Sequence, residues 1–249
     1  MRKILEYTEK DLEPTDSFKL HDYLQPDIWS DYQMDSEIRE RLLEIANQYI
    51  NSIRGSFKIH DIILIGSLSS YNWSKYSDFD LHVVIDYKDI NEDIELVEEY
   101  LDIHKKLWNK KYDIDIMGFP VELFAENKGR DMEHINGVFS ILKNRWIKKP
   151  SKKELDIDTD LIETKAKSIM TSIDELEKAV KEQAVESDRT LEDLNKVWSK
   201  VKRGRSEGLE SPQGEFAIGN LVFKYLRRNE YISKIIELRK KLIEQKYSI

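Results

Sequence analysis

The chain of 249 residues contains no cysteine, so disulfides and thiolate-held metals are excluded. Only 5 prolines and 9 glycines punctuate it. That scarcity leaves room for long regular elements and makes each glycine a marker of a turn or a close backbone approach. No apolar run approaches the length of about 20 residues that a membrane-spanning helix needs. The opening MRKILEYTEKDLEP has no signal-peptide core. These absences lead to the expectation of a cytoplasmic protein of bacterial or viral type. Repeats and low-complexity tracts are also missing, and 40% hydrophobic against 35% charged residues describes a folded, helix-rich chain.

The net charge is −8, but it is unevenly spread. From Arg189 to Ile249 there are fourteen Lys/Arg and eight Asp/Glu, and from Ile141 to Lys153 six basic residues and no acid. An acidic protein with local basic patches is no general nucleic-acid coat, yet it can hold a polyanion at one place. Solvated helix faces account for part of the same charge.

Residues 1–34 read as irregular. From Asp35, DSEIRERLLEIANQYINSI opens with a capping residue and sets Ile38, Leu42, Ile45, Ala46 and Ile50 at helical spacing, closed by Gly55. A strand to Ile65, a Gly-Ser turn, a short helix and a second strand follow. Residues 90–109 are helical in period, and YDIDIMGFPVELFAEN reads as two paired strands around Gly118. After Pro150 the pattern turns to long amphipathic helices over 159–187, 190–203 and 215–246, with RGRSEGLESPQGE as a loop between them. The expected fold is α+β, a mixed sheet flanked by helices over 1–150 with a helical C-terminal domain over 151–249.

The most informative stretch is residues 62–86, IILIGSLSSYNWSKYSDFDLHVVID. A strand-like run ends in Gly66-Ser67, ten residues follow, and Asp78-Phe79-Asp80-Leu81 opens the next strand. Strand alternation sends Asp78 and Asp80 to one side and Phe79 and Leu81 to a core. Two carboxylates so placed suit Mg2+, which prefers oxygen ligands and bridges carboxylates to phosphates. Glycine lets backbone approach a phosphate, and the Ser67 hydroxyl can bond its oxygens. A surface hairpin with two solvated aspartates is the plain alternative.

In order and spacing these residues resemble the signature of the DNA polymerase beta-like nucleotidyltransferase superfamily: an apolar residue, Gly-Ser, a spacer of about ten, then Asp-apolar-Asp-apolar. The resemblance implies that nucleotidyltransferase core, and a catalyst that moves NMP from an NTP (ATP among them) to an acceptor hydroxyl. It also implies two Mg2+ ions, for which Mn2+ can substitute, and a third acid on a neighbouring strand. Candidates for that acid are Asp113, Asp115 and Glu122. Glu122 is favoured because Val121 and Leu123 should face the core, although Asp115 alternates with Ile114 and Ile116 in the same way. The arrangement also resembles nucleotidyltransferase-like proteins of phages over most of the chain, through YNWS, SD-x-DLH, PVEL and the NLVFK–LRR helix.

Further candidates for the nucleotide are His134, beside Asn136-Gly137, and Lys224, Arg227 and Arg228, which sit three or four residues apart on one helix. His134 serves equally as a turn cap, and the three cations equally as solvated charge. His82, on the Asp80 face, is ambiguous, whereas His60 and His104 read as structural. The acceptor is RNA, such as a tRNA 3′ end, if the basic segments with Lys143, Arg145, Lys148 and Lys149 border the carboxylates. Otherwise a protein hydroxyl (AMPylation), a nucleotide signal or an inactive regulatory module fits.

Overall fold

A computed structural model describes residues 18, 20–133, 135–152, 157–182 and 187–248. It resolves into two compact units that divide between residues 154 and 155. Phe18 packs in the second, helical unit rather than the first. The fold is mixed α+β, with six α-helices and a six-stranded mixed sheet among the described residues.

In the first unit a two-residue hairpin, β1 (Trp29–Ser30) and β2 (Gln33–Met34), precedes helix α1 (Ser36–Ser52). Asp35 caps α1 by accepting from the Glu37 and Ile38 amides, which otherwise lack intrahelical partners. Its Ile38, Leu42, Ala46 and Tyr49 recur at helical spacing and are buried. Strands β3 (Ile59–Ile65) and β4 (Phe79–Ile85) follow, then α2 (Ile94–Lys111), β5 (Asp115–Ile116), β6 (Phe119–Asn127), β7 (Val138–Ser140) and β8 (Arg145–Lys148). The sheet order is β5-β6-β4-β3-β7-β8. Only β4 and β6 run parallel.

Period-two alternation gives the sheet two different faces. Phe79, Leu81, Val83 and Ile85 of β4, with Val121 and Leu123 of β6, enter one core with Ile38, Leu42 and Tyr49 of α1 and Val97 and Leu101 of α2. The other face carries Asp80, His82, Glu122, Phe124 and Glu126. Much of β6 is an edge, and its backbone is covered piece by piece. Val121 N bonds Ile114 O, the Asn109 amide bonds both Leu123 N and Leu123 O, and the Tyr87 hydroxyl donates to Ala125 O. Such cover blocks edge-to-edge pairing with other chains.

Strands β7 and β8 have no counterpart in the sequence reading, which took 141–153 as a basic run. Lys143 there donates from the surface to buried Asp61 at 2.6 Å, and Ser140 Oγ donates to the same carboxylate at 2.6 Å.

The second unit contains α3 (Thr159–Lys181), α4 (Ser187–Glu210), α5 (Ile218–Arg228) and α6 (Tyr231–Tyr247). Ile162, Ala166, Met170 and Ile173 of α3 meet Leu194 and Val201 of α4, Leu221 and Leu226 of α5, and Ile235, Leu238 and Leu242 of α6. The segment read as a loop from Arg203 is helical to Glu210. Tertiary contact explains the difference, because Gly204 and Gly208 are where α5 comes closest. A Cβ on Gly219 would overlap the Gly204 carbonyl, and one on Gly208 would crowd Ala217 and Asn220. Since the obstacle at Gly219 is backbone, Gly219→Ala must push the two helices apart. It is expected to lower stability by about 1–3 kcal/mol, read as a shift in the urea midpoint. An unchanged midpoint would contradict this packing.

Candidate metal centre

Strand β3 ends at Ile65, and the chain turns at Gly66 with φ 81° and ψ −163°, a conformation open to glycine and strained for other residues. A single 3-10 turn, Ser67–Ser69, follows in place of the expected short helix. The rest of the loop is packed rather than loose. Trp29 Nε1 donates to Leu68 O at 2.8 Å, and Trp73 stacks on His21 at 3.8 Å while donating to Tyr23 O. Ser67 Oγ donates to Ser77 Oγ at 2.7 Å, and the Ser74 amide donates to the same oxygen at 2.9 Å. Ser69 Oγ donates to Gly66 O and Gly137 O, tying the approach to β7 to this turn. A Cβ on Gly137 would overlap the Ser69 carbonyl.

This scaffold sets three carboxylates together. Asp78 lies just ahead of β4, Asp80 lies on it, and Asp80 pairs in register with Ile65 of β3 on one side and Glu122 of β6 on the other. One oxygen each from Asp78, Asp80 and Glu122 falls within 4.8 Å of the others, and all three residues are half-buried. Gly66 makes the approach possible, since a Cβ there would overlap Oδ2 of Asp80. An all-oxygen, all-anionic donor set fits a hard divalent cation such as Mg2+ or Mn2+. Like charges at such range also disfavour one another until a cation joins them.

The competitors for third acid lie elsewhere. Asp115 is exposed and accepts from Gly118 N at 2.9 Å, closing the β5–β6 turn, and Asp113 is exposed ahead of β5. His134 falls outside the described residues. Lys224, Arg227 and Arg228 belong to the helical unit. There Lys224 faces Glu215 at 4.0 Å and the Arg228 guanidinium lies 4.4 Å from the Phe18 ring centre. Of the basic segment, Lys143 serves Asp61, Lys148 donates to Glu133 O, and Lys149 lies over Tyr32.

Beside the triad on the same face His82, ambiguous in the sequence, has partners that the sequence reading did not name. His82 is stacked on Phe124 at 4.5 Å, and its Nδ1 lies 3.2 Å from Glu126 Oε2, which also pairs with Arg130. Burial holds the His82 pKa below the usual histidine value, against the opposing pull of Glu126. Burial opposes the charge of Glu126, but the His82 hydrogen bond and the Arg130 charge outweigh it and keep the carboxyl below its ordinary pKa. An ionised carboxylate only accepts, so neutral His82 donates from Nδ1. A pocket of about 360 Å³ opens over this group. Strand alternation from Glu122 through Phe124 to Glu126, with Arg130 four residues on, was the available signal.

No family model, curated protein or solved structure matches this chain.

Proposed function

We propose that the first unit is a metal-dependent nucleotidyltransferase of the polymerase beta-like type, transferring NMP from an NTP to an acceptor hydroxyl. The observation that carries the reading is the convergence of Asp78, Asp80 and Glu122 at the start of β4 and β6 with Gly66 against Asp80. The resemblance in residues 62–86 asks for a glycine-serine turn, a paired aspartate and a third acid on the adjoining strand. Each stands in that relation here.

In the proposed reaction the acceptor hydroxyl gives up its proton to solvent water as its oxygen bonds the NTP α-phosphorus, the bond from that phosphorus to the bridging oxygen breaks, and pyrophosphate leaves with the electron pair. Asp78, Asp80 and Glu122 would hold divalent cations, which would supply charge neutralisation along the triphosphate and ease deprotonation of the attacking hydroxyl, and Asp80 is kept in place by the glycine it lies against. The Gly66–Ser67 turn receives the phosphates. The Ser67 hydroxyl, now donating to Ser77, turns to a phosphate oxygen when NTP enters.

Ser67→Ala is therefore expected to weaken NTP binding by about 1.5–3 kcal/mol, the worth of a hydrogen bond to a charged group. The readout is a KM for NTP raised by about tenfold to a hundredfold, with stability changed by only about 1 kcal/mol for the lost Ser77 bond. An unchanged KM would place the phosphates elsewhere. The reading as a whole is tested by incubating the protein with each α-labelled NTP, Mg2+ and separate pools of cellular RNA and protein. Label entering one pool with stoichiometric pyrophosphate supports it and identifies the acceptor class. No label and no pyrophosphate with any NTP would reject it.

A further inference from the structure

The helical unit contains a groove of about 610 Å³ between α3 and α4, floored by the first turns of α5. Its floor is apolar, with Ile169, Val222 and Phe223, and its rim is cationic, with Lys165, Lys200 and Arg203. Glu207 is the one acid in the lining, 3.9 Å from Arg203, and both side chains are largely exposed. Among the described residues Lys165 and Lys200 form no ion pair. A chain of net charge −8 thus reverses its sign locally, around a groove with an apolar floor.

We infer that this groove binds a small amphipathic anion, a phosphate carried on an apolar or aromatic body. The volume lies within the range of small-molecule sites, about 300–1,000 Å³, which pair apolar walls with a few polar groups. The cations on the rim meet the phosphate while the floor takes the body. A single-stranded nucleic acid is disfavoured because such strands need exposed aromatic platforms. Phe223 is buried, and the Arg205 guanidinium lies 4.2 Å from its ring centre. The lining residues all belong to the helical unit, so the inference does not depend on nucleotidyl transfer.

The test measures binding of AMP, hexyl phosphate and inorganic phosphate to the full chain in EDTA by titration calorimetry. EDTA removes the metal-bound phosphates expected at the carboxylates, and a background of Asp78→Asn with Asp80→Asn checks this separation. AMP and hexyl phosphate distinguish a nucleotide from a lipid-like source of the same chemistry. At least one of them should bind about tenfold more tightly than inorganic phosphate, in the wild type and in the Asn background alike. Lys165→Glu with Lys200→Glu should weaken that binding by about tenfold, and Ser168→Trp, which fills the groove from its rim, should do the same. Failure of both organic phosphates to bind, or unchanged binding in either variant, would overturn the inference.

Discussion

Asp80→Asn is expected to reduce nucleotidyl transfer by about three orders of magnitude or more, and Asp78→Asn to do the same, with the fold intact. Loss of a cation's several kcal/mol of charge stabilisation, at about 1.36 kcal/mol per tenfold, gives that size. The stability half of the prediction is equally specific. Three carboxylates with oxygens within 4.8 Å repel one another when no cation is bound. Removing the Asp78 charge relieves that repulsion, so in EDTA the melting temperature of Asp78→Asn should equal or exceed that of the wild type. Substitution with Asn keeps the side-chain shape and isolates charge from packing. Retained transfer in the Asp78→Asn, Asp80→Asn double variant would sink the assignment. A large fall in melting temperature would instead mark the aspartates as structural.

Gly66→Ala is the second large effect, and it separates site geometry from fold. The added Cβ overlaps the end of the Asp80 side chain rather than backbone. Asp80 can therefore swing away and leave the strands paired. The φ of 81° adds strain of about 1–3 kcal/mol for a residue other than glycine. The expected result is a modest loss of stability together with a loss of transfer as deep as that of Asp80→Asn. Full activity in a folded Gly66→Ala protein would mean that Asp80 does not need its observed position.

The part of the site most legible in the sequence rested on alternation. Phe79 and Leu81 had to face a core, so Asp80 had to face away, and Val121 and Leu123 fixed Glu122 by the same argument. What alternation could not supply was the pairing of Asp80 with Glu122, because β4 and β6 meet only through α2 and a register across a crossover leaves no local trace. Asp115 satisfied the same pattern and was set aside only by the turn it closes.

The helical extent of α4 was hidden because Gly204 and Gly208 read locally as loop residues, and the close packing of Gly219 on the Gly204 carbonyl and of Ala217 and Asn220 on Gly208 leaves no local trace. Strands β7 and β8 were hidden by their shortness and by cations. Lys143 looked solvent-bound and in fact completes the buried Asp61 and Ser140 network. Spacing alone does not reveal such a partner, since a long basic side chain can reach a carboxylate far away in sequence. His82 and Glu126 show the reverse, a buried polar pair of which His82 alone was ambiguous in the sequence and Glu126 gave no signal.

The central claim, that Asp78, Asp80 and Glu122 form a divalent-cation centre, is tested most directly by titrating Mn2+ into the protein and following free Mn2+ by electron paramagnetic resonance. The account predicts saturable binding that Mg2+ displaces, that NTP strengthens, and that Asp80→Asn weakens by about tenfold or more, as loss of one of three charged ligands requires. Mn2+ binding of equal strength in the wild type and in the Asp78→Asn, Asp80→Asn variant, with or without NTP, would contradict it.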